Sequence, residues 1–128
     1  MPDTKPLRVL IADDEPLAAE RLQLLLAKAD GAQLVGTASD GDSAINLTEA
    51  LGPDLLLLDI AMPGLDGYSV CRLLKSDAEL KAIPVILMTT GASVHHRLAG
   101  LSLGADDFLS KPIDMRELIL RIRVRLAG

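Results

Sequence analysis

Apolar positions along the chain fall into two kinds of run that alternate. LRVLIA (7–12), AQLVGT (32–37), DLLLLD (54–59), PVILMT (84–89) and DDFLS (106–110) are short and nearly unbroken. Unbroken rather than alternating apolarity predicts strands of a parallel sheet covered on both faces. DLLLLD is Leu-rich, which suits a helix, but its length and flanking breakers favour a strand. Between these runs apolar residues recur at helical spacing. Pro16 suits a first helical turn, after which Ala18, Leu22, Leu25, Leu26 and Ala29 share a face. Ala44, Leu47 and Leu51 predict a second helix entered through SDGDS, and Val70, Leu73 and Leu74 a third. Val94, Leu98 and Leu101 predict a fourth, closed by Gly104. Met115, Leu118, Ile119, Ile122 and Leu126 predict a fifth, with Asp114 as its N-cap. Strand and helix alternate five times, (βα)5, so the expected class is an α/β three-layer sandwich with right-handed crossovers. Five units suit an open, doubly wound sheet rather than an eight-fold barrel.

The polar residues gather at strand exits. In an open α/β sheet the ligand site lies beyond the carboxyl ends of the strands. The first strand runs out into Asp13, Asp14 and Glu15, the third into Asp59, and the fourth into Thr89 and Thr90. The fifth runs out into Ser110 and Lys111, followed by Pro112. Several carboxylates at one mouth raise one another's pKa unless a cation joins them. Mg²⁺ binds through one or two carboxylates, with waters and phosphate oxygens completing its shell. Lys111 adds a positive charge on a flexible stem, and Thr89 a hydroxyl donor. With a carboxylate nucleophile, such a set fits in-line phosphoryl transfer. Asp59, followed by the tight turn MPGLDG, is the candidate nucleophile.

Composition narrows the field. The 128 residues suit a single domain over 1–128. With 49% hydrophobic residues and only 2% aromatics, the core must be aliphatic. A net charge of −5 argues against the domain itself gripping nucleic acid or an anionic membrane. Cys71 is the single cysteine, read as buried filler in a reducing compartment. MPDTKP lacks a signal pattern and no apolar run approaches the ~20 residues of a membrane span, so a cytoplasmic domain is expected.

LIADDEP, DLLLLDIAMPGLDG, IPVILMTTG and GADDFLSKPI, in this order, make essentially the whole chain resemble the receiver domains of two-component response regulators. The resemblance implies a flavodoxin-like, CheY-like sheet with strand order 2-1-3-4-5. It implies that Asp59 accepts a phosphoryl group from a sensor histidine kinase, a phosphotransfer protein or a small phosphodonor. Asp13, Asp14, Asp59 and the backbone carbonyl of Ala61 would hold Mg²⁺, or Mn²⁺ in its place. Thr89 and Lys111 would contact the phosphoryl oxygens, and Lys111–Pro112 would be a cis peptide. Phe108 would be the switch aromatic, rotating inward as Thr89 moves. The surface of the fourth helix, fifth strand and fifth helix would then change toward an output domain, a downstream protein or a second copy. Such a module is not an enzyme beyond assisting its own phosphorylation and slow autodephosphorylation. Two positions depart from the commonest pattern. Position 61 is often polar and is Ala here; position 90 is usually small and is Thr here. Both would flank the phosphoryl group, so slow autodephosphorylation is expected. Phe108 has no phenolic hydroxyl, so its switch would rest on packing.

Plainer readings stand beside these. Asp13 or Asp14 can help cap the first helix, and Glu15 fits a solvated first turn. Asp66 fits a cap of the third helix, with Gly64 and Gly67 as turn formers. His95 and His96 are adjacent on a helix and face different ways, which does not suit a metal site. Arg121, Arg123 and Arg125 complement a helix C-terminus. Asp106, Asp107, Arg116 and Arg121 suit the rim ion pairs of a homodimer, or ordinary surface. Among rival functions, a phosphorylation-independent receiver conflicts with the complete acid, Thr and Lys set. A flavodoxin-like flavin carrier would need a phosphate loop after the first strand and aromatics for the ring. An aspartyl-phosphate phosphatase would want a second acid at position 61.

Overall fold

The computed structural model of the protein describes residues 6–29, 31–90 and 102–127. The unbroken apolar runs form five strands: β1 (Leu7–Ala12), β2 (Ala32–Ala38), β3 (Leu55–Asp59), β4 (Val85–Thr90) and β5 (Asp107–Lys111). Each lies within one residue of its predicted bounds. All neighbours are parallel, in the order β2-β1-β3-β4-β5. Helices α1 (Pro16–Ala27), α2 (Gly41–Leu51) and α3 (Gly67–Ser76) and a C-terminal helix (Met115–Ala127) cover the sheet. The predicted fourth helix on Val94, Leu98 and Leu101, with His95 and His96, lies outside the described residues. Among those described, no helix is long and apolar enough to cross a membrane.

β3 shows why its run is unbroken. Leu55 and Leu57 pack into the layer formed with α1 and the C-terminal helix, around Leu22, Leu26, Leu118 and Ile122. Leu56 and Leu58 pack into the opposite layer, with Ala44, Val70, Cys71 and Leu74. Burying a Leu or Ile is worth about 1.5–3 kcal/mol each, so these two layers carry the fold without aromatics. The order reverses between β1 and β3, and their exits flank the resulting crevice.

Aspartates start the helices. Asp40 Oδ1 accepts from Ser43 N at 2.7 Å and Asp66 Oδ1 from Ser69 N at 2.8 Å. Asp114 Oδ1 accepts from Arg116 N and Glu117 N. α1 differs: Glu15 holds its N-cap position without a side-chain bond, and Pro16 opens the helix. Asp13 Oδ1 instead accepts from Glu15 N at 3.0 Å, so its capping role reaches only the turn before the helix.

Two expected core positions need correction. Leu73 is 46% exposed, and Cys71 takes its place on the buried face of α3 beside Val70 and Leu74. Met115 is also exposed. Of the two expected turn formers, Gly64 takes a left-handed φ of 75°, and Gly67 closes the turn as the first residue of α3. Asp106 and Asp107 pair within the chain, with Lys75 at 2.9 Å and Arg121 at 3.1 Å, which fits the ordinary-surface alternative. The side chains of Arg125 and Leu126 lie outside the described residues.

Candidate functional site

Strand register assembles the site. Ala12 pairs with Leu58 across β1 and β3, so Asp13 and Asp59 leave the sheet side by side. Across β4 and β5, Thr89 pairs with Ser110 and Thr90 with Lys111. Asp13 N donates to Ala38 O and Ile60 N to Met88 O, which extends the sheet to the acids. The MPGLDG turn is closed by Gly67 N donating to Ile60 O at 2.8 Å. A Cβ on Gly67 would overlap the carbonyl oxygen of Asp59 and stand 2.7 Å from Ile60 Cα. A Cβ on Gly41 would likewise overlap the carbonyl of Leu65. These two glycines let the loop after Asp59 fold back onto its own strand and onto α2. Sequence reading missed that role, because DG before a helix reads first as turn chemistry.

Asp13, Asp14 and Asp59 each offer a carboxylate oxygen, all within 4.8 Å of one another. Asp13 and Asp59 are buried and Asp14 is exposed. Lys111 Nζ lies 2.6 Å from Asp13 Oδ2 and 3.4 Å from Asp59 Oδ1. Burial, and then the charge of Asp13, push the Asp59 carboxyl up to about 6, against the pull of Lys111 and a backbone hydrogen bond at Ala61. Burial would lower the Lys111 ammonium, but its bonds and charge pairing with Asp13 and Asp59 outweigh that and raise it. Crowded oxygen donors that destabilise one another's charge, beside an exposed third acid, fit a hard divalent cation.

Asp59 opens into a cavity of about 220 Å³ lined by Asp14, Glu15, Ala61, Thr89, Thr90 and Lys111. Ala61 and Thr90 are exposed at its walls. The Thr89 hydroxyl donates to Thr90 O at 3.2 Å. Phe108 is 5% exposed and packs in the layer beneath α3. Phe108 is thus buried here while the Thr89 hydroxyl faces its neighbour's carbonyl; the expected inward rotation of Phe108 as Thr89 moves toward a phosphoryl group concerns the phosphorylated state. The Lys111–Pro112 peptide is cis. The structure brings together Asp13, Asp14, Asp59, Ala61, Thr89, Thr90 and Lys111, and leaves Phe108 behind them in the core.

Residues 9–123 match the family model described as the response regulator receiver domain. The chain is 37% identical over 124 residues to the DNA-binding response regulator MtrA of Mycolicibacterium smegmatis, covering 97% of this chain and 52% of MtrA. It is 43% identical over 117 residues to the response regulator PleD of Caulobacter vibrioides, covering 91% of this chain and 25% of PleD. Among solved structures it resembles the signal receiver domain of a signal transduction histidine kinase from Syntrophus aciditrophicus, with a TM-score of 0.83 at 36% identity. That match covers 94% of this chain and 90% of the other. The chain spans 52% of the length of MtrA and 25% of that of PleD.

Proposed function

The chain belongs to the response regulator receiver family, and from that premise we propose that it is a phosphoacceptor switch with Asp59 as the acceptor. The observation that carries this reading is the placement of a buried Asp59 at the floor of a cavity, between two further acids and the Lys111 ammonium. A carboxylate oxygen of Asp59 attacks the donor phosphorus in line. The bond from phosphorus to the donor's imidazole nitrogen or acyl oxygen breaks, and its electron pair leaves with the donor. Attack requires the ionised carboxylate, so an Asp59 carboxyl near 6 is poised to react at neutral pH.

Asp13, Asp14, Asp59 and the backbone carbonyl of Ala61 would hold Mg²⁺, with Mn²⁺ as a substitute. When bound, the ion supplies positive charge for the phosphoryl oxygens. Lys111 supplies the second positive charge on a stem long enough to move from Asp13 to those oxygens. Thr89 supplies a hydroxyl once it leaves the Thr90 carbonyl. Burial of Asp13 and Asp59 keeps these interactions in a medium where they act strongly.

Donors of the matching chemistry are a sensor histidine kinase, a phosphotransfer protein or a small acyl phosphate. Residues 1–128 act as one cytoplasmic receiver domain. Its readout surface would comprise β5, the C-terminal helix and the predicted fourth helix outside the described residues, facing an output domain, a partner protein or a second copy. The role is regulatory, with chemistry limited to its own phosphorylation and its slow reversal.

The test is incubation with Mg²⁺ and acetyl phosphate or phosphoramidate, followed by intact-mass measurement. A mass gain of one phosphoryl group is expected, lost in Asp59→Asn and lost with chelator. A gain that persists in Asp59→Asn removes Asp59 as acceptor.

A further inference from the structure

Lys111 must reach far. β5 is separated from β1 by β3 and β4, so the two strands share no main-chain hydrogen bonds. Three strand spacings amount to about 14 Å. The Lys111 ammonium nevertheless touches Asp13. Small shifts of the turn that follows Lys111 therefore decide whether its charge arrives. That turn is not packed tightly against α1. A solvent-open groove of about 310 Å³ lies between them, lined by Leu17, Leu22, Arg21, Pro112 and Ile113 among others. Solvent in this open groove gives the backbone no fixed packing contacts on that side. Across it, Arg21 Nη2 donates to Ile113 O at 3.1 Å, joining residues 92 apart in sequence. The Ile113 side chain is meanwhile buried in the core. The turn is thus pinned at Ile113 from two sides, two residues beyond Lys111. Arg21 belongs to the helix that begins just after Asp13 and Asp14, so it gauges the turn against the acids themselves.

We propose that Arg21 is a positioning residue for phosphoryl transfer: its hydrogen bond to Ile113 O sets the reach of Lys111 toward Asp13 and Asp59. Arg21 does not touch the reacting atoms and acts only through Lys111. This rests on the phosphoacceptor reading above. Arg21→Ala should lower the phosphorylation rate at saturating acetyl phosphate about fivefold, while Arg21→Lys, which keeps a donor, recovers most of it. In a Lys111→Ala background, Arg21→Ala should cause no further loss, since the two residues act as one unit. An independent arm uses the metal-free protein and no phosphodonor. The side-chain ¹⁵N resonance of Lys111 should move toward that of a free lysine in Arg21→Ala and stay in place in Arg21→Lys. An equal rate loss with and without Lys111, or an unmoved Lys111 resonance, overturns the proposal. A wild-type protein that takes no phosphoryl group overturns the phosphoacceptor reading instead, and the resonance still decides the role of Arg21.

Discussion

Lys111 leans on Asp13, at 2.6 Å, more closely than on Asp59, at 3.4 Å. The ammonium from the edge strand therefore sits among the same acids that a divalent cation would join, and one positive charge stands partly in for another. Lysine and metal then compete for Asp13 while both lower the cost of ionising Asp59.

Removing the lysine should show this competition. In Lys111→Ala, Asp13 and Asp59 lose their counter-ion in a buried setting, which costs about 2 kcal/mol in metal-free buffer. On the proposed reading Mg²⁺ would bind the folded acids and not the unfolded chain, so it should recover most of the loss. Thermal melts in chelator and in saturating Mg²⁺ check it: the gap between wild type and Lys111→Ala should narrow with the ion. A gap of the same width in both buffers would mean that lysine and metal do not share these acids.

The Asp59 carboxyl gives a pH dependence with a definite sign. Its folded pKa of about 6 lies above the ordinary 3.8, so between those values the folded protein binds more protons than the unfolded chain. Metal-free stability should therefore fall as pH rises through that window, by on the order of 2–3 kcal/mol from this group. Asp59→Asn removes the effect. Urea unfolding from pH 4 to 7.5 in chelator should show Asp59→Asn gaining on wild type as pH rises. Lys111 has the same sign at the alkaline end. Its raised pKa stabilises the fold below its ordinary 10.5, and that contribution disappears as pH passes the folded value. A constant difference between Asp59→Asn and wild type across the acid window would contradict a raised Asp59.

Much of this arrangement was legible in the chain. LLLLD reads as a strand from its length and flanking breakers, and β3 buries every one of its side chains. The acids, threonines and lysine stand out because the strands are mostly apolar and these polar residues gather at their exits. The spatial order of the strands is different. Each strand can satisfy its own pattern beside any other, so order came from family likeness rather than from periodicity. Side-chain pairing was also hidden. Asp106 and Asp107 look alike in sequence, but one meets Lys75 and the other Arg121, on different helices. Gly67 was read as a turn former because the text shows its flexibility but not the Asp59 carbonyl pressed against its missing side chain.

That close approach makes Gly67 the sharper of the two loop glycines. Gly67→Ala must push back the Asp59 carbonyl and Ile60 Cα, which are backbone and cannot swing aside. A loss of about 2–3 kcal/mol is expected, together with slower phosphorylation, because the displaced atoms belong to the acceptor residue. At Gly64 a Cβ meets nothing within 4 Å, and only the left-handed φ of 75° opposes it. Gly64→Ala should therefore cost about 1 kcal/mol. Chemical denaturation and phosphorylation rates on the two variants check the contrast. Equal losses at both positions would mean that backbone conformation, not the contact with Asp59, governs the loop.

The walls of the cavity bear on how long a phosphoryl group would last. Ala61 and Thr90 both line it beside Asp59, and both are exposed to solvent. Hydrolysis of an acyl phosphate needs a water in line with the phosphorus, opposite the bond to Asp59. Ala61 has no polar group to orient that water, and Thr90 adds bulk where a smaller side chain would admit it. Ala61→Asn restores a hydrogen-bonding group at the first wall, and Thr90→Ala opens the second. Each should shorten the acyl-phosphate lifetime severalfold, in the range of a positioned hydrogen bond or an unblocked approach, about 3–30-fold when combined. Decay of the phosphorylated mass in single-turnover experiments, after removal of the donor, reads this directly. Both substitutions keep the acids and Lys111 in place, so the phosphorylation rate should change less than the lifetime. An unchanged lifetime in the double variant would place control of hydrolysis elsewhere, in the Thr89 hydroxyl or in Lys111 itself.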